Sequence, residues 1–411
     1  MFRRPHPRGG ARTHLRGATV IAGSLGATAP PADPTVEGVA RDVVFVSLVT
    51  WDHMPFWRWR SLFRVLQAAG HRVLWVDHFS AYGTLRSPTR PRVRQVERRL
   101  WLLSSPALAR LTSSPLRGPA TAVAVAGVRR AVRQLEFERP LLWIAGPPGR
   151  VLRGQLGERA VLYDLSDDLS RLGAGGRLLA DEQALLAEAD LVWACSPSLA
   201  SSKAAVRTQG LPIFTVPNGV DPDAFRTVCD PGPIHPALSG PERPVVGYHG
   251  TIYDRIDWQL VDAVARAEPG WRFAFLGTVE QRPPIEIRAL PNVVFLPPEP
   301  FEQVPAFYRG CDVCWIPHRA GALAQQQSST KLLEYLATGR PAVATEMLMD
   351  EDVAPLVGHA TDWETMRATI HRELAEDGGD RRRARREVAA RHSWTERFEE
   401  LRSHLRGGTA A

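Results

Sequence analysis

Cysteine is scarce in this chain of 411 residues: Cys195, Cys229, Cys311 and Cys314 are too few and too scattered for a disulfide framework, which favours a reducing compartment. Lysine is scarcer still. Of 51 basic residues only Lys203 and Lys331 are lysines and the rest are arginine, a bias that reads first as the imprint of a GC-rich genome. No run approaches the ~18–20 uninterrupted apolar residues a membrane-spanning helix needs. Zinc-finger spacing, an aromatic RNA-binding signature and a sustained basic helix are all missing. The net charge of +7 therefore points to anionic small ligands or phospholipid head groups and not to nucleic acid. With 44% hydrophobic and 23% charged residues, the composition excludes disorder and collagen, and the length suits two or three domains. The expectation is a soluble, cytoplasmic protein.

Residues 1–40 are rich in Arg, Pro, Gly and Ala and read as a disordered tail. Ala18 to Ala29 is mildly apolar, but Gly23, Ser24 and Gly26 interrupt it before it makes a signal peptide. From Arg41 the texture changes. Val43–Leu48 predicts a buried strand, Trp57–Ala69 a helix closed by Gly70, and Val73–Val76 the next strand, the parallel strand–helix–strand arrangement. Strands at Leu141–Ala145, Val161–Asp164, Leu191–Ala194 and Phe214–Val216 continue it, with helices near Thr121–Glu136 and Arg177–Ala189. A Pro- and Gly-bearing stretch, 229–244, reads as a linker. The alternation then restarts with strands at Val245–Tyr248, Arg272–Leu276, Val293–Phe295, Val313–Ile316 and Ala342–Ala344, and helices at Trp258–Ala267, Val304–Arg309 and Lys331–Thr338. Asp362 to Leu405 is helical and arginine-rich. The fold class is α/β: two Rossmann-like, doubly wound domains facing a cleft, at 41–228 and 245–370, with a C-terminal helical segment at 371–411.

The most informative segment runs from Gln325 to Thr345. Ser328, Ser329 and Thr330 supply a helix N-cap, and Gly339 and Pro341 stop the helix. A helix N-terminus bearing Lys331 offers free backbone N–H groups, a positive dipole end and an ammonium, which suit a diphosphate. Glu334 lies one turn in on the same face, where it can accept bonds from a ribose diol. A plain capped amphipathic helix fits the spacing equally well.

Lys331-Leu-Leu-Glu-Tyr-Leu-Ala-Thr-Gly-Arg-Pro-Ala-Val resembles the donor-site helix of GT-B glycosyltransferases of family 4, the glycosyltransferases group 1. Val216–Phe225 resembles the signature that ends that family's N-terminal domain, and Gly247–Ile252 the first strand and glycine loop of its C-terminal domain. Trp51–Arg60 and Val161–Asp168 are similar to its bacterial polysaccharide-synthesis branch. The resemblance implies a GT-B fold and metal-independent transfer of a sugar from a nucleotide diphosphate sugar, with retention and no resident cofactor. The acceptor would be a glycan, a lipid-linked sugar or a small molecule. It further implies donor contacts from Gly250, Thr251, Arg255, Asp257, Gly277, Ser328, Ser329, Thr330, Lys331 and Glu334, with Lys331 neutralising the leaving group. Two departures stand out. Gln326 occupies the place of the family's first glutamate, and Thr251 and Ile256 stand where its Arg and Lys follow the glycine loop, leaving Arg255 as a substitute and Asp257 as a polar anchor.

In the N-terminal half, Asp52 and His53 follow the first strand, where His53 would orient or deprotonate an acceptor hydroxyl or have no role at all. Asp164, Asp167 and Asp168 end a strand on the same side. Acceptor binding by Asp167 and Asp168 stands beside the alternative of capping the next helix. Cys311-Asp-Val-Cys314 runs into a buried strand and reads as packing, and Asp221-Pro-Asp223 as a turn; neither is a metal site. Arg86 to Arg117 carries eight arginines and one acid around Leu100–Leu103, and reads as a solvated insertion or a basic edge for peripheral contact with the inner face of a membrane. Competing readings are a secondary-metabolite glycosyltransferase of the same fold and a non-catalytic GT-B partner subunit. A sugar-nucleotide epimerase would need acid/base carboxylates that the donor half does not display.

Overall fold

The structure is a computed structural model that describes residues 41–47, 51, 57–77, 92–104, 117–170, 175–207, 212–319, 321 and 329–408. The expected tail, and Asp52, His53, Gln326 and Ser328, lie outside the described residues.

The N-terminal half builds a sheet from β1 (Asp42–Val46), β2 (Arg72–Asp77), β3 (Arg92–Glu97), β4 (Leu100–Ser104), β5 (Leu141–Ile144), β6 (Ala160–Leu165), β7 (Leu191–Ala194) and β8 (Ile213–Thr215). Their order is β3-β4-β2-β1-β5-β6-β7-β8, parallel throughout except for the antiparallel β3–β4 pair. Helices α1 (Trp57–Ala68), α2 (Arg117–Gln134), α3 (Gly176–Glu188) and α4 (Pro197–Lys203) cover it. The central strands are buried on both faces. Val43, Phe45, Trp75, Trp143 and Trp193 fill one core, while Val44, Val46, Leu74, Leu142 and Tyr163 fill the other. Two-sided burial is why these strands read as unbroken apolar runs in the sequence.

The basic stretch after Arg86 departs from the expected insertion, for residues 92–104 form the β3–β4 hairpin at the sheet edge. Leu100 and Leu102 enter one core and Leu103 the other, so β4 is an interior strand parallel to β2. Arg92 and Arg94 stand exposed on β3, the charged edge that deters further strand pairing.

The short helix α5 (Pro222–Phe225) follows the crossing to the C-terminal half. There β9 (Val245–His249), β10 (Arg272–Leu276), β11 (Val293–Leu296), β12 (Val313–Ile316), β13 (Ala342–Thr345) and β14 (Gly358–Ala360) form a sheet in the order β11-β10-β9-β12-β13-β14. All its pairings are parallel. The strand order reverses between β9 and β12, and such a switch point opens a crevice beyond the carboxyl ends of the strands. Around the sheet pack α6 (Trp258–Ala267), α7 (Ile285–Arg288), α8 (Val304–Gly310), α9 (Thr330–Thr338), α10 (Trp363–Ala375) and α11 (Gly379–Arg391).

The last helix, α12 (Trp394–Gly408), leaves this domain. Trp394, Phe398 and Leu401 are buried in the core that holds Val43, Phe45 and Leu62, so the C-terminal segment returns to the first domain. Each such side chain contributes about 1.5–3 kcal/mol of burial, an upper bound because the unfolded chain is itself partly collapsed. The two strands of chain crossing between domains are joined: the Val220 N–H bonds the His392 carbonyl and the Trp394 N–H bonds the Val220 carbonyl, both at 3.0 Å. Within the helical segment at 371–411, α11 packs against α9 and α12 against α1.

Candidate functional site

The crevice beyond β9 and β12 is built on two glycines. Gly250 follows β9 with φ +138° and Gly277 follows β10 with φ +149°. A Cβ at Gly277 would overlap the Gly250 carbonyl, and a Cβ at Gly250 would overlap Lys331 Cε. Both glycines are needed for conformation and for space. Lys331, in the first turn of α9, thus lies directly across the Gly250 backbone, with Nζ 5.7 Å from the centre of the Tyr248 ring. No carboxylate among the described residues is within ion-pair distance of that ammonium. Burial pushes the Lys331 amine down from its ordinary value, Glu334 opposes that, and Arg255 adds to it.

Ser329 occupies the N-cap position of α9, but its side chain makes no capping bond. That departs from the expected hydroxyl cap. The first-turn N–H groups of Thr330 and Lys331 have no acceptor within the helix, and the positive end of its dipole lies there. At the other end Gly339 adopts φ +79°, the left-handed cap the sequence called for.

Glu334 lies one turn in, only 3% exposed. The Tyr308 hydroxyl donates to its Oε2 at 3.0 Å, and His249 Nδ1 sits 3.4 Å from the same oxygen. Tyr308 also meets His249 Nδ1 at 2.9 Å. These contacts fix the carboxylate from one side. Burial and the neighbouring Glu334 charge push the Tyr308 phenol well above its usual value, so it remains a donor.

Four carboxylates named from the sequence make hydrogen bonds within the fold. Asp257 caps α6, its Oδ1 accepting from the N–H groups of Gln259 and Leu260 at 3.1 Å each, a structural use of one of its two oxygens that suits a polar anchor. Asp168 Oδ1 accepts from the Ser170 hydroxyl at 2.5 Å and from Lys203 Nζ at 3.3 Å. Burial raises its pKa, but the Ser170 bonds and the Lys203 ammonium bring it below the ordinary carboxylate value. Lys203 Nζ also donates to Glu182 Oε2 at 2.9 Å, so Asp168 belongs to a three-member network. Asp164 neither caps nor faces the cleft: fully buried, it takes Arg58 at 3.1 Å and the indole N–H groups of Trp59 and Trp143 at 2.8 and 3.2 Å. Asp167 accepts from the Ser166 hydroxyl at 3.2 Å.

Arg255 lies with its guanidinium carbon 5.6 Å from the Tyr253 ring centre. Sequence reasoning missed Tyr248, His249, Tyr308 and His318. His249 stood inside the Gly247–Ile252 motif and was legible there. Tyr308 and His318 carry no local signal, because only strand order brings them to β9.

Residues 243–375 match the family model described as Glycosyl transferases group 1. Over 225 residues the chain is 28% identical to TuaH of Bacillus subtilis, whose name assigns it to teichuronic acid biosynthesis; the match covers 51% of this chain and 56% of that protein. The matched stretch thus spans little more than half of that relative's length. Among solved structures, sucrose-phosphate synthase from Thermosynechococcus elongatus superposes with a TM-score of 0.66 at 16% identity, covering 90% of this chain and 99% of that one. HepE from Anabaena, in complex with UDP and glucose, gives 0.62 at 16% identity over 89% and 99%. These two show a shared fold across both domains.

Proposed function

We propose, for a chain whose residues 243–375 belong to the group 1 glycosyltransferases and whose fold is GT-B, that it moves a sugar from a nucleotide diphosphate sugar to a glycan or lipid-linked acceptor. The observation that carries the reading is Lys331, an ammonium without a carboxylate partner among the described residues, laid across Gly250 at the switch point of the second sheet. The anionic diphosphate is the group such a cation and the first-turn N–H groups of α9 suit. Glu334, steadied by Tyr308, is placed to accept the ribose hydroxyls. As the glycosidic bond breaks, negative charge grows on the diphosphate while the anomeric carbon turns positive, and Lys331 favours that separation. The chemistry asks for no resident metal or cofactor, and we assign retention, as the family resemblance implies.

UDP bound to HepE supports a uridine nucleotide as donor, and TuaH supports an envelope polysaccharide as acceptor. The acceptor domain would then work beside the membrane, its exposed Arg92 and Arg94 at the sheet edge, although no helix among the described residues is long and apolar enough to cross one.

The test is a thermal-shift panel of UDP, GDP, ADP, dTDP and CDP against wild type and Glu334→Ala. One nucleotide raising the melting temperature of wild type and not of the variant supports the reading, since a ligand that binds only the native state stabilises by mass action. No shift with any of the five refutes it and favours a non-catalytic partner subunit.

A further inference from the structure

His318 follows β12, directly opposite the end of β9 at the switch point, and the proposed function leaves it unused. Two backbone bonds zip its loop to the segment after the glycine turn: the Asp257 N–H to the Pro317 carbonyl at 2.8 Å and the Arg319 N–H to the Arg255 carbonyl at 2.7 Å. His318 is paired with Ile256 in an antiparallel bridge. Tyr248 then links the imidazole to the cation described above. Its ring lies under the Lys331 ammonium at 5.7 Å, its hydroxyl donates to the Thr251 carbonyl at 3.0 Å, and the same hydroxyl sits 3.3 Å from His318 Nε2. Because the phenol's proton is spent on Thr251, its oxygen accepts, so Nε2 carries the hydrogen and Nδ1 keeps a lone pair.

We propose that His318 is a binding residue for the donor diphosphate, taking up one proton from solvent at Nδ1 as the anion binds and donating that hydrogen to it. The inference rests on the assignment of the Lys331–Gly250 crevice to a nucleotide diphosphate.

The groups that face His318 are Lys331 from α9, Arg255 and Tyr253 from the loop after β9, and Tyr248 from β9 itself. Burial first, then the Lys331 and Arg255 charges, push the imidazole down to about 3, so that it is neutral at physiological pH. A diphosphate settling against Lys331 offsets the two charges that hold the proton off. The imidazole that two cations keep neutral is then the group most altered by an anion placed among them.

The experiment is calorimetric titration of full-length protein with UDP-glucose, a diphosphate with no ionisation of its own near neutrality, in two buffers of different ionisation enthalpy. Proton uptake by wild type at pH 6–7, and affinity that rises as pH falls by up to about tenfold per unit, are the expected results. His318→Gln keeps a donor for Tyr248 and loses the titrating nitrogen, so uptake should vanish and the affinity become flat with pH. His318→Asn, with an acceptor in place of Nδ1, should do the same and guards against a folding defect peculiar to Gln. Uptake that persists in both variants belongs to another group and overturns the proposal. So does tight, Glu334-dependent binding with no uptake in wild type, which leaves the crevice assignment intact. Absence of binding by UDP-glucose and by all five nucleoside diphosphates overturns the crevice assignment and the proposal with it.

Discussion

Arg58 is the side chain on which the join between the two domains depends, and its removal makes the sharpest stability prediction. Its guanidinium donates to Asp164 at 3.1 Å and to Asn218, in the crossing segment, at 2.6 Å. It also lies 5.5 Å from the ring centre of Trp193 and 5.8 Å from that of Trp394, the first residue of the returning helix. One group thus touches α1, β6, β7 and both crossings. Arg58 is 7% exposed and Asp164 is 0% exposed, so Arg58→Ala strands a buried carboxylate. Stranding a buried charge costs about 3–5 kcal/mol. The indole donors of Trp59 and Trp143 remain on Oδ2 and hold the figure near the lower end, while the lost contacts with two indole rings add about 0.5–1 kcal/mol each. A net loss of about 4 kcal/mol lowers the melting temperature by roughly 8–16 °C for domains of this size. Denaturant unfolding and calorimetry measure it, and a double-mutant cycle locates it. Asp164→Asn keeps an acceptor for the indoles without a charge, so adding it to Arg58→Ala should recover about half of the loss. An Arg58→Ala variant within about 0.5 kcal/mol of wild type, or a double variant no more stable than the single, would refute the account.

Two further outcomes follow from carboxylates that hydrogen-bond within the fold. Asp257→Ala removes a helix cap and should cost about 1 kcal/mol of stability with UDP-glucose affinity unchanged, measured by urea unfolding and calorimetry; an affinity loss would put Asp257 among the donor contacts. Asp168 has a depressed folded-state pKa, so its contribution is complete above the unfolded carboxylate value and is lost as pH falls through the folded one. The stability gap between wild type and Asp168→Asn should therefore narrow as pH falls from about 5 through the folded value, and a gap constant over the whole acid range would contradict it.

The strands of the two sheets were legible because burial on both faces leaves no room for polar alternation, as at Val43–Val46 and Val313–Ile316. β3, β4 and β14 escaped: an edge strand of Arg92, Arg94 and Gln95 reads as solvated chain, the Leu100–Leu103 run sits inside the same basic stretch, and Gly358–Ala360 is too short to show a pattern. The return of α12 was illegible in a different way. Its apolar stripe shows that something must cover Trp394 and Phe398, but no periodicity says that the cover is α1, more than 300 residues earlier. The same limit separates the crevice residues. Lys331 and Glu334 share one helix and could be read together, whereas Tyr248 and His318 are 70 positions apart and meet because β9 pairs with β12.

Composition carries one more signal that the structure makes physical. Both lysines of this arginine-rich chain occupy places where a planar five-donor fork does not suit. Lys203 reaches two carboxylates from different elements, Glu182 at 2.9 Å and Asp168 at 3.3 Å, as a compact ammonium can and a bidentate guanidinium does poorly. Lys331 passes over the bare Cα of Gly250, where even a Cβ would collide with its stem. Burial lowers the Lys331 amine, and an ammonium responds to that pressure where a guanidinium hardly would. In the crevice this matters chemically. A cation partly desolvated before the ligand arrives interacts more strongly with a diphosphate than a hydrated one, and its neighbour His318 is neutral for the same reason. If His318 takes up a proton as proposed, the site gains positive charge as the anion enters instead of holding all of it beforehand.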